Sequence, residues 1–140
     1  MNILLRPILI SILAGAFILV MPKKLRKIAE GFSFATSIYL FLACIRIFVK
    51  SPLNGGFLYV DALSRFIILG VGFFGALVTL YSLRFMAGYK DFRSYYSNTI
   101  WTIGLSILAL ASNNIVLLLV AWGFLGFTLY MLINLSLIHI

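Results

Sequence analysis

The sequence predicts an all-α integral membrane protein with five transmembrane helices, and three observations predict it. Of 140 residues, 64% are hydrophobic and only 10% charged, and the mean hydropathy is +1.16. An average soluble domain carries about 25% charged residues, so this chain has too little polar surface to cover a soluble core. Five apolar runs each approach the roughly 20 residues that cross a bilayer. The basic residues, eleven against three acids, sit mostly in short segments between those runs. Disorder is excluded, because it requires low hydrophobicity.

The first run, Leu4 to Met21, is closed by Pro22-Lys23-Lys24, a helix stop followed by a polar anchor. Its basic start and Ala14-Gly15-Ala16 share features with a signal peptide, but the basic cluster after the run marks a retained helix. The second run covers Phe32 to Val49. The third, Leu58 to Phe85, is long enough to include an interfacial lead-in. The fourth, Tyr96 to Ser112, and the fifth, Ile115 to about Ile138, are separated only by the turn-forming Ser112-Asn113-Asn114, which predicts a tight helical hairpin. The expected organisation is one transmembrane domain, 1–140, with short loops.

Basic residues near helix ends set orientation. One side carries Lys23, Lys24, Arg26 and Lys27 after the first helix and Arg84, Lys90 and Arg93 after the third. The other side carries Arg6, Arg46, Lys50 and Arg65. The richer side is expected to face the cytoplasm. Tyr89, Phe92, Tyr95, Tyr96 and Trp101 beside it read as an interfacial aromatic belt. Split among short loops, the cations form no continuous stripe, which argues against a nucleic-acid partner.

Few residues offer chemistry. One histidine, one cysteine and three carboxylates do not make a metal or hydrolase site. Gly70-Val-Gly72-Phe-Phe-Gly75 spells a dinucleotide fingerprint, which needs a preceding strand and an opening helix. At membrane depth it reads instead as close helix packing, with Gly72 and Ala76 one turn apart. Asp61 and Arg65, four apart, are expected to pair at the start of helix 3. Arg46 is placed to snorkel to the interface. His139 lies next to the last residue and reads as incidental. No charge occurs between Phe66 and Leu83 or between Thr99 and Ile138, whereas ion-relaying bundles keep ionisable groups inside.

Phe57-Leu-Tyr-Val-Asp61-Ala-Leu-Ser64 opens helix 3, and Thr79-Leu-Tyr81-Ser-Leu-Arg84-Phe-Met86 closes it. Ser112-Asn113-Asn114 leads into Ala121-Trp122-Gly123-Phe-Leu-Gly126-Phe-Thr-Leu-Tyr130-Met-Leu-Ile133. In order and spacing these resemble the helix signatures of the antiporter-like proton-channel subunits of respiratory complex I, membrane-bound hydrogenases and multi-subunit cation/proton antiporters. Subunit L of NADH-quinone oxidoreductase (subunit 5 in mitochondria) is nearest. The resemblance is strong from about residue 57 to 134; the N-terminal half agrees in layout, including a Gly-bearing loop at Asn54-Gly55-Gly56.

The resemblance implies the N-terminal portion of a longer, non-redox subunit of a proton-translocating complex in a bacterial inner membrane. It implies no cofactor in this chain and, as partners, the lipid bilayer and other membrane subunits. Asp61, Ser64, Trp122, Gly123, Gly126 and Tyr130 are the family-motif positions. The family carries a glutamate of its proton path where this chain has Gly123, so that role does not transfer. That departure suits a second reading, the membrane subunit of a bacterial inorganic-carbon (bicarbonate/CO2) transporter, and the lack of charge within helices 3 to 5 suits a third, a non-conducting structural membrane protein.

Overall fold

A computed structural model describes residues 2–50, 53–54, 59–85 and 92–138. Five helices dominate: α1 (Asn2–Val20), α2 (Arg26–Lys50), α3 (Ala62–Phe85), α4 (Phe92–Ala111) and α5 (Ile115–Ile138). A 3-10 turn, Lys23–Leu25, links α1 to α2. A two-residue antiparallel ribbon, β1 (Leu53–Asn54) and β2 (Tyr59–Val60), precedes α3, with Leu53 opposite Val60 and Asn54 opposite Tyr59.

Helix boundaries follow hydrogen bonding rather than hydropathy. At the end of α1 the Met21 amide is shared between Phe17 O (3.1 Å) and Ile18 O (3.2 Å), and Pro22 then turns the chain out into extended conformation. α2 begins at Arg26, six residues before the apolar run, because Arg26 pairs with Glu30 one turn on (Nε–Oε1 3.2 Å) and supports a polar first turn. α3 begins at Ala62 rather than Leu58: the Asp61 carboxylate accepts the Ser64 amide at 2.7 Å, an N-cap that ends the preceding extended segment. α5 starts where the turn triplet places it, since Asn114 Oδ1 accepts the Val116 amide at 2.8 Å.

The all-α class holds, but among the described residues three helical segments rather than five are long and apolar enough to cross a membrane: Arg26–Val49, Leu63–Arg84 and Ile115–Asn134. The apolar segment described in α1, Leu5–Val20, is shorter. α4 has the length, but its first half, Arg93 to Thr102, is rich in Ser, Thr, Tyr and Asn. The packing explains that polarity. α4 is the centre of the bundle, against α1, α2, α3 and α5, whereas the substantial contacts of α5 are with α4. Polar groups on α4 are therefore screened by neighbouring helices. The core around it joins Ile18, Leu40, Ile47, Ile68, Tyr96 and Ile107, all buried.

Two glycines of the apparent nucleotide fingerprint are packing contacts inside α3. A Cβ on Gly72 would stand 2.7 Å from the Cys44 sulfur on α2, and one on Gly75 would stand 2.6 Å from Ile103 on α4. Gly70 faces open space.

Candidate functional site

The family-motif positions do not converge. Asp61 caps α3 in full solvent exposure, and the Ser64 amide, its principal partner, lowers its pKa below the usual carboxylate value. Arg65 does not pair with it as expected. Its guanidinium reaches the Phe48 carbonyl at 3.5 Å and stands 5.3 Å from the Phe48 ring centre, tying the start of α3 to the end of α2. On α5, Trp122 and Tyr130 are 64% and 63% exposed, and nothing lies within 4 Å of a Cβ placed on Gly123 or Gly126. All four motif positions of α5 therefore point away from α4. Arg46 is exposed on the outer side of α2 rather than directed into the bundle.

The topology-setting residues gather at one end. Arg93 donates to Met21 O at 3.1 Å, which sets the start of α4 beside the end of α1. Tyr96 donates from its hydroxyl to Ser82 O at 3.1 Å, and the Tyr95 and Ser82 hydroxyls meet at 2.6 Å, which sets the start of α4 beside the end of α3. The segments bearing Lys23, Lys24, Arg26, Lys27, Arg84 and Arg93 thus share one end of the bundle. Lys90, Tyr89, Gly55, Gly56 and His139 lie outside the described residues. Two members of the expected aromatic belt face the bundle instead: Tyr96 is fully buried, and Trp101 donates its indole N–H to Ile12 O at 3.0 Å.

What the structure does assemble is a polar column on α4. Asn98 and Thr102 follow Ser94 at helical spacing, and Tyr95, Thr99 and Ser106 lie alongside. The hydroxyls of Thr99, Thr102 and Ser106 reach the carbonyls of Tyr95, Asn98 and Thr102, each at 2.7–2.8 Å. Thr102 also meets the Thr128 hydroxyl of α5 at 3.0 Å. Toward α1, Ser97 donates to Gly15 O at 2.8 Å. Asn98 donates from Nδ2 to Ser94 O at 2.7 Å, yet its buried Oδ1 has no partner. The i, i+4, i+8 spacing of Ser94, Asn98 and Thr102 was the available sequence signal for this column, and attention to charge alone passes over it.

Two lateral grooves flank the column. One, about 310 Å³, lies between α3, α4 and α5 and is bordered by Val78, Tyr95, Thr99, Thr102 and Ser106. The other, about 360 Å³, lies between α1, α4 and α5 and is bordered by Ile12, Trp101, Phe124 and Phe127. Among the described residues no charged side chain is buried, and no cluster of three histidine, cysteine or acidic residues could hold a metal. The column is thus a neutral hydrogen-bonding seam between helices.

Fold and site together define a multi-pass helical membrane protein with a polar seam and no buried charge among its described residues. Neither a family model, nor a curated protein, nor a solved structure matches the chain.

Proposed function

We propose that the chain is a membrane subunit of the antiporter-like type, serving as packing scaffold within a larger proton-translocating NADH-quinone oxidoreductase-type complex rather than as the ion path itself. The orientation of α5 carries this reading. The helix that bears the most extended motif, from Ser112 to Ile133, packs on α4 and turns Trp122, Gly123, Gly126 and Tyr130 outward. That face is apolar and suited to the helices of other membrane subunits. In this arrangement α1 and α4 cross the bilayer as well: at 19 and 20 residues they rise about 28 and 30 Å. The basic end faces the cytoplasm of a bacterial cell, in keeping with the positive-inside rule.

Gly123 favours a second reading. Without an acid there, the chain also suits the membrane subunit of an inorganic-carbon transporter. Co-purification separates the two. A tagged full-length chain extracted gently from native membranes is expected to migrate with quinone-oxidoreductase membrane subunits on a native gel. Recovery with a soluble zinc-bearing partner supports the transporter reading instead. Recovery of the chain alone overturns both.

A further inference from the structure

The outward side of α2 combines two features that match the two ends of an anionic phospholipid. At its start, Arg26 is engaged with Glu30, while Lys24 and Lys27 are both exposed, three residues apart. Continuing along the same side at helical spacing come Ile28, Gly31, Ala35, Ile38 and Leu42, all exposed. Nothing lies within 4 Å of a Cβ placed on Gly31, and Ala35 adds only a methyl. Between Ile28, 57% exposed, and Ile38, 37% exposed, the helix surface therefore dips. Along one flank the Phe17 ring of α1 packs against Phe32 with centroids 5.1 Å apart, forming an apolar wall.

We propose that this surface binds an anionic glycerophospholipid, its headgroup phosphate over Lys24 and Lys27 and one acyl chain in the Gly31–Ala35 trough. Two ammonium groups attract the phosphate, and they repel the added cation of a zwitterionic headgroup. A free phosphate would satisfy the lysines but leave the trough open. The site lies where the lysines meet the apolar face, so charge and chain are recognised together. It rests on membrane residence alone, not on membership of any particular complex.

The test uses the full chain reconstituted in phosphatidylcholine vesicles, with spin-labelled phosphatidylglycerol or phosphatidylcholine as probe. The motionally restricted spectral component reports bound lipid. The native chain is expected to prefer phosphatidylglycerol, and the Lys24→Gln/Lys27→Gln double variant to lower that preference by about thirtyfold, the order expected for losing two surface cations. Arg6→Gln/Arg46→Gln removes the same charge from exposed positions elsewhere and is expected to leave the preference intact. Gly31→Leu fills the trough without altering charge and is expected to release the bound lipid. All these side chains are exposed or open, so retained helical circular dichroism verifies the fold. The proposal is overturned by an absence of preference in the native chain, or by equal losses in the two double variants. It is also overturned if Gly31→Leu has no effect, if millimolar inorganic phosphate displaces the probe, or if the face binds a second copy of the chain instead of lipid.

Discussion

Asn98 carries a buried acceptor that nothing among the described residues satisfies. An orphaned polar atom costs about 1–3 kcal/mol, while its amide donates only to the Ser94 carbonyl and hydroxyl of its own helix. Asn98→Leu, close in volume, is therefore expected to stabilise the chain by about 1 kcal/mol, read as a higher midpoint in detergent unfolding. A lower midpoint would mean that Oδ1 has a donor in the membrane. The glycines make a contrasting pair of expectations. Gly72 and Gly75 sit against Cys44 and Ile103 with no room for a side chain. Leucine at either is expected to cost about 1–3 kcal/mol through overpacking. Leucine at Gly126, which faces open space, is expected to change stability by less than about 0.5 kcal/mol. Equal effects at Gly75 and Gly126 in the same unfolding assay would contradict the packing described. Gly123→Glu fits sterically for the same reason, but a carboxylate near the middle of a membrane-spanning helix costs about 2.5–3.5 kcal/mol on insertion scales. It is thus expected to lower the inserted fraction and to leave proton flux unchanged.

At the level of elements, the start of α3 is a pH-sensitive cap. Because the folded pKa of Asp61 is lowered, its stabilisation is complete above the unfolded carboxylate value, about 3.9, and is lost as pH falls through the lower folded value. Hydrogen exchange in the first turn of α3 is expected to accelerate below about pH 4 and to lose that acid dependence in Asp61→Asn, which keeps a capping oxygen without the charge. Such caps were the legible part of the fold. Asn114 marks both the turn and the start of α5, and Pro22 marks the end of α1, because each acts through local backbone geometry. The start of α2 was hidden, since hydropathy marks where a helix becomes apolar and not where its hydrogen bonds begin. The face of α5 was hidden for another reason. Its outer side, with Ile115, Leu119, Trp122 and Ile133, is as apolar as the side on α4, so no stripe says which side turns in. The α4 column was written in the spacing of Ser94, Asn98 and Thr102. Its place at the centre depends on how α1 and α3 close around it, through contacts 14 to 89 residues apart in the chain.

For the whole molecule, the cation asymmetry and the packing agree on one point that neither establishes alone. Charge counting groups Lys23, Lys24, Arg26 and Lys27 with Arg84 and Arg93 only if the helices alternate in direction. The Arg93 bond to Met21 O and the Tyr96 bond to Ser82 O bring those segments to the same end. At the opposite end, Arg65 meets Phe48 O, and β2 packs against α4. The proposed orientation adds to this the rule that loops rich in lysine and arginine are retained on the cytoplasmic side. The chain is well suited to a direct test, because its single cysteine, Cys44, is buried between α2 and Gly72 of α3 and shielded from aqueous reagents. Lys27→Cys, at an exposed position of the basic end, is expected to react with a membrane-impermeant maleimide in inverted vesicles and not in intact cells. Tyr59→Cys, 39% exposed at the other end, is expected to behave in the opposite way. Labelling of both from the same side would break the alternating bundle, and labelling of each from the reversed side would invert the orientation while leaving the packing intact.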